Sequence, residues 1–286
     1  MAGSDSRSIK VLFREWRQGD AEAGQLMAQR FADWYYAIAT SRLGEEPGRE
    51  PCEVACSKFG EGVVNVSESR ALVNWAHEII QDELSGKGDR VTDGDQPNAY
   101  TGNQRPKTLL ARARVALPTE VGLLEQCYRT GSTAALEPLP VLKARYKVKQ
   151  WLRDSCHVPF DVAPDQPILD RAPMPLYESG RMASADEEKN FEQWMISDLD
   201  LCKDIAEFAH FAIALRGGLP SVEEFEAEQA MRKAKRTGTP APVTRSSEPV
   251  EPISKAPIAG GVLAVVAILV ILGILAIAGA AFMFMS

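Results

Sequence analysis

The sequence has little of what chemistry is usually made from. Among 286 residues there are three histidines and five cysteines. No P-loop, G-x-S-x-G or H-E-x-x-H motif occurs, and no spaced pair of carboxylates with a base. An enzyme is the least supported class, and no catalytic residue, metal or cofactor is expected. Cys52, Cys56, Cys127, Cys156 and Cys202 form an odd, scattered set, which suits a reducing cytosol better than a disulfide framework. Cys52 and Cys56 could share a helix face as ligands, with Cys156 and His157 added, but burial as small apolar residues accounts for them better. His77 and His210 fall within apolar helical patterns and read as packing. No alternating strand pattern of any length appears.

Over one stretch charge is missing completely. Residues 258–285, running from Ile258 through Val262, Ile268, Leu272 and Ile277 to Phe284, hold neither a charged side chain nor a proline. As a helix this run reaches roughly 40 Å, more than the hydrocarbon core of a bilayer. It is apolar all round, unlike a surface helix with a polar face, so a single C-terminal transmembrane helix in contact with lipid is expected. Lys255, Arg245 and the cluster Arg232, Lys233, Lys235 and Arg236 precede it. The positive-inside rule then places the N-terminal part in the cytoplasm, on a single-pass anchor. The opening MAGSDSRSIK lacks the apolar region of a secretory signal.

What remains is helical in pattern. Ile9, Leu12, Phe13 and Trp16 share one face, and Asp20 is placed to cap a second helix carrying Leu26, Met27, Phe31, Trp34, Tyr35 and Ile38 inward. GEEPGREP reads as a break. Val54, Phe59, Val63 and Val64 follow on a shorter segment, then SRALVNWAHEIIQDEL. A polar, Gly/Asp/Asn-rich stretch ends a first domain at 8–84 and forms a linker over 85–106. A second helical domain spans 107–156, with a turn-like EPLP before the basic helix VLKARYKVKQWLRDSC. A third spans 165–236, where Ser184 and Glu187 make a capping box and Leu201, Ile205, Phe208, Ala209 and Ile213 a buried stripe. A Pro/Ser/Thr-rich linker over 237–257 leads to the span. The expected architecture is all-α: small helical domains joined by linkers, plus one transmembrane helix.

The order of these units resembles a bacterial regulatory pair. LFREWRQGDAEAGQLMAQRFADWYYAIATSRLG looks like the start of region 2 of ECF-type sigma factors, and SRALVNWAHEIIQDEL is similar to that region's last helix. ARVALPTEVGLLEQCYRTG resembles the entry to region 4, and KARYKVKQWLRD its final basic helix. PLYESGRMASADEEKNFEQW is close to the start of the zinc-binding anti-sigma fold, which in many relatives precedes one transmembrane helix. The resemblance implies RNA polymerase core as a partner of 8–84 and promoter DNA as a partner of 107–156. It further implies intramolecular docking of 165–236 on 8–156, at the inner membrane. Two departures stand out. Only STAALEPLP separates Gly131 from the basic helix, so part of a helix-turn-helix is missing. Trp194, Asp198 and Leu201 stand where the family has His-x-x-x-Cys-x-x-Cys, and Cys202 is one residue out of register, so zinc would lack its ligands.

Charge distribution bears on these expectations. Residues 8–83 carry thirteen acids against eight bases, and the last helix of that domain ends Gln81-Asp82-Glu83, an unfavourable surface for nucleic acid. Residues 107–154 reverse the balance, with nine bases against four acids. Lys143, Arg145, Lys147, Lys149 and Arg153 are the candidate DNA-contacting residues. Their helix reads equally as a phosphate- or acid-contacting surface and as an ordinary solvated face. The acidic stretch 161–216, including Glu178, Glu192, Asp204 and Glu207, is a natural partner in cis. Two function classes follow: a self-masked, membrane-tethered transcription regulator, or a degenerate sigma-like scaffold that binds a protein partner without promoter recognition.

Overall fold

Side-chain caps start the first two helices. The Ser8 hydroxyl accepts from the Val11 amide at the head of α1 (Ile9–Arg17), and the Asp20 carboxylate accepts from Glu22 and Ala23 at the head of α2 (Ala21–Leu43). In the computed structural model, which describes residues 7–87, 105–129, 137–161, 169–221, 223–227 and 230–231, all regular elements among the described residues are helical. Gly44, at φ 95°, ends α2 in a conformation that side-chain-bearing residues seldom adopt. The chain restarts at once as α3 (Glu45–Gly62), passes a 3-10 turn at Val63–Asn65, and continues as α4 (Ser69–Leu84).

Helix α3 corrects the sequence reading. GEEPGREP, expected to be a break, is its first half, and Pro51 lies inside it. An interior proline costs about 3 kcal/mol in an isolated helix, so tertiary packing must hold the segment. Cys52, Ala55 and Phe59 are buried against α2, with the Phe31 and Phe59 rings 4.4 Å apart. Gly48 lets the two backbones meet: a Cβ there would stand 2.9 Å from the Ala39 carbonyl carbon. Val64 is exposed.

The second stretch holds α5 (Arg105–Ala116), α6 (Pro118–Tyr128) and α7 (Pro138–Cys156). EPLP is not a separate turn. Glu137 is the N-cap residue and Pro138 the first helical residue of α7, where its missing N–H costs nothing. After a 3-10 turn at Leu169–Arg171 come α8 (Met174–Ser179), α9 (Ala185–Met195) and α10 (Leu199–Arg216). Ser184 caps α9 by accepting from Glu187 N.

Two hydrophobic cores result. One joins α1–α4 to Met174 and Tyr177 of α8, Phe191 and Met195 of α9, and Leu201, Cys202 and Ile205 of α10. The other joins α5–α7 and Phe160 to Phe208, Phe211, Ala212 and Leu215, further along α10. Helix α10 therefore serves both, and the chain through Leu219 is one compact unit. Residues 169–216 have no core of their own: their buried apolar side chains are divided between these two. The remaining unit, Pro220–Ser286, is described over a short helical segment opened by a reciprocal cap: Ser221 Oγ accepts from Glu224 N and Glu224 Oε2 from Ser221 N. Among the described residues no helix is long and apolar enough to cross a membrane. The 237–257 linker, most of the 85–106 linker and the apolar run 258–285, with Ile258, Val262, Ile268, Leu272, Ile277 and Phe284, lie outside them.

Gly48→Ala tests the α2–α3 contact. Helix propensity alone would favour alanine by about 1 kcal/mol. The clash should instead lower stability by about 1–3 kcal/mol in urea denaturation followed by circular dichroism.

Candidate functional site

Helix α7 turns one charged stripe inward. Val141, Leu142, Val148 and Leu152 are buried, and Arg145 and Lys149 lie among them with 0 % exposure. Two cations at i, i+4 in an apolar interior are tenable only with partners that satisfy them. Glu178 of α8 takes Arg145 in a fork, with Nε to Oε2 at 2.9 Å and Nη2 to Oε1 at 2.7 Å. Asp204 of α10 accepts from Arg145 Nη1 at 2.8 Å and from Lys149 Nζ at 2.7 Å on the same oxygen. Glu207 takes a second Lys149 proton at 2.8 Å. The Tyr128 hydroxyl donates to Glu178. Phe208 lies under the guanidinium at 4.3 Å, and Phe160 lies 4.7 Å from the Lys149 ammonium.

Asp204 is the centre of this cluster. Burial raises its carboxyl, but the Arg145 guanidinium and Lys149 ammonium outweigh burial and hold it below the usual carboxylate range. Arg171 approaches its second oxygen at 3.9 Å, and itself holds Asp198, the cap of α10, in a fork.

A second cluster surrounds Glu192 of α9, also at 0 % exposure. Its Oε1 accepts from Arg42 at 2.7 Å and from the Tyr177 hydroxyl at 2.9 Å. Its Oε2 meets His77 Nε2 at 2.7 Å and Gln81 Nε2 at 2.9 Å, and its backbone carbonyl accepts from the Trp34 indole. Helices α2, α4 and α8 thus converge on one α9 carboxylate. At the rim, His210 of α10 meets Glu45 of α3 at 2.7 Å, a hydrogen bond that lowers the Glu45 carboxyl. Arg216 donates to the Ser41 carbonyl at 2.6 Å.

The five candidate DNA-contacting residues are not brought together. Arg145 and Lys149 face the core, paired there with Glu178, Asp204 and Glu207. Lys147 is exposed and pairs with Glu120 at 2.8 Å, and Arg153 pairs with its neighbour Asp154 at 2.9 Å. Lys143 is exposed. The residues at the three zinc-ligand positions have other duties: Asp198 caps α10, Leu201 is core, and Trp194 is half-buried. Cys202 is buried and donates to the Met195 carbonyl. Among the described residues no group of three metal-ligating side chains occurs, and all five cysteines are free. A hydrogen bond with Cys56, followed by burial, pushes the Cys52 thiol far above its ordinary range.

Sequence reasoning placed Glu178, Glu192 and Asp204 on a general acidic face and missed that they are buried hubs. Their spacing carried the signal. Asp204 stands three residues after Leu201 and four before Phe208, and Glu192 three before Met195, each within an apolar stripe. Searched against protein-family models, curated proteins and solved structures, the chain has no match.

Asp204→Ala should cost about 3–5 kcal/mol, because it strands two buried cations. The depressed carboxyl also predicts a pH dependence. Its contribution is complete above the unfolded aspartate value, about pH 4, and is lost as pH falls through the lower folded value. Denaturation midpoints measured from neutral to strongly acid pH should show this loss in the wild-type chain, and Asp204→Asn should remove that component.

Proposed function

We propose that the chain is a membrane-tethered transcription regulator, laid out like an ECF-type sigma factor, in which residues 169–216 mask the helical module of 8–156. The observation carrying this reading is the neutralisation of Arg145 and Lys149, cations of the basic region 4-like helix, by Glu178, Asp204 and Glu207 of α8 and α10. The same segment holds the region 2-like helices through Glu192. A clasp built on buried ion pairs suits a mask. Their net gain over apolar packing is small, while loss of one partner is costly, so a single disrupted carboxylate would favour release. In this reading 8–84 meets RNA polymerase core, 107–156 meets promoter DNA after release, and the apolar run 258–285 holds the chain at the cytoplasmic face of the inner membrane.

The zero exposure of Arg145 and Lys149 in a unit sharing α10 also favours a second reading. The clasp would be permanent, and the chain a sigma-like scaffold that binds a protein partner without reading a promoter. The acid excess of residues 8–83 agrees with that role.

Binding of the full chain to purified RNA polymerase core, in neutral detergent, separates the two. Masking predicts that Glu178→Gln/Asp204→Asn binds at least about tenfold more tightly than wild type, a difference of about 1.4 kcal/mol, with helicity followed by circular dichroism. Equal binding by both chains removes the mask. Binding by neither, with helicity retained, leaves the scaffold.

A further inference from the structure

Charge is segregated within the acidic N-terminal helices. Four of the eight bases in residues 8–83, Lys10, Arg14, Arg17 and Arg70, line one cleft of about 550 Å³, whereas of the thirteen acids only Glu68 does. Spacing accounts for three of them. Positions 10, 14 and 17 are separated by four and three residues, so they share one face of α1. Arg70 faces them from the first turn of α4.

These cations are not used up inside the protein. Lys10, Arg14 and Arg70 are exposed and have no ion-pair or hydrogen-bond partner among the described residues. Arg17 gives one proton to the Val64 carbonyl at 2.9 Å, fixing the turn before α4 against α1. Elsewhere four exposed lysines are each paired with a carboxylate: Lys58 with Glu83, Lys87 with Glu50, Lys147 with Glu120 and Lys203 with Asp161. Like charges gathered unpaired in a concavity repel one another and focus a positive potential there.

Two further features act in the same sense. The sixteen-residue helix α4 opens at this cleft with no capping side chain; the Ala71 amide turns back to the Glu68 carbonyl at 3.1 Å, which leaves the Ser69 and Arg70 amides and the positive end of the dipole to a ligand. Ser67 and Ser69 add hydroxyl donors, and the buried Phe13 ring forms a low-dielectric wall. Donors approaching from two helices suit a tetrahedral dianion better than a planar carboxylate, which one arginine fork satisfies.

We infer that the α1–α4 cleft binds a phosphoryl group, held by Lys10, Arg14 and Arg70 with the α4 amides. The group comes either from a free phosphate compound or from an anionic lipid headgroup. The site stands apart from the clasp and does not depend on the transcriptional reading.

Lys10 reports on occupancy directly. The full chain in phosphatidylcholine nanodiscs is treated with an amine-acylating reagent, and acylation of Lys10 and of the exposed reference Lys143 is followed by peptide mass spectrometry. Millimolar inorganic pyrophosphate should slow Lys10 at least about fivefold, roughly 1 kcal/mol of occupancy, without changing Lys143. Arg14→Ala/Arg70→Ala, both surface changes, should abolish the protection with the circular dichroism spectrum unchanged. Protection seen only when phosphatidate is added to the nanodiscs assigns the phosphoryl group to a headgroup. No protection in either arm overturns the inference. So does equal slowing of both lysines, or protection that survives in the double variant, because each marks general screening in place of a site.

Discussion

Asp204 stands between two fully buried cations, and most of the architecture follows from keeping it there. Arg145 and Lys149 both donate to the same carboxylate oxygen, and among the described residues only the α8 and α10 carboxylates neutralise them. In a low-dielectric interior an unpaired charge costs several kcal/mol, close to the whole stability margin of a domain. Helix α10 must therefore lie along α7 at this height, and α8 must present Glu178 at the other side of the guanidinium. Phe208 and Phe160 complete the enclosure by covering the cation faces.

The position of α10 then determines how the remainder packs. Its first half contributes Leu201, Cys202 and Ile205 to the core with α1–α4, and its second half Phe208, Phe211 and Leu215 to the core with α5–α7. Glu192 repeats the arrangement on the other side, with one buried carboxylate drawing donors from α2, α4 and α8. Specificity comes from these polar hubs. Apolar faces alone would tolerate sliding, whereas a forked guanidinium and a four-donor carboxylate accept one register.

Much of the helical layout was legible from periodicity and caps. Asp20 and Ser184 start their helices, and the stripes of α1, α2, α4, α9 and most of α10 point inward as their spacing requires. Ile213 is half-buried. Helix α3 was illegible because Gly48 and Pro51 argue locally for a break, and their helical state depends on a backbone contact with Ala39 that no local pattern contains. The charged residues of α7 were legible as a basic helix but not as a split one. Lys143 and Lys147 face water while Arg145 and Lys149 face the core, a division set by where Glu178 and Asp204 sit in space. Composition records charges, and depth is a property of the fold.

The dependence of both cores on α10 has a consequence in time. A chain emerges from the ribosome N-terminus first, and α10 ends at Arg216. Until α8, α9 and α10 have emerged, Arg145 and Lys149 lack their carboxylates, Trp34 lacks its carbonyl from α9, and the apolar faces of α2 and α7 lack their cover. The first 156 residues thus pass through an interval as a hydrated, half-assembled pair of helical groups. Closure of the compact unit that ends at Leu219 therefore waits on α10, its C-terminal helix.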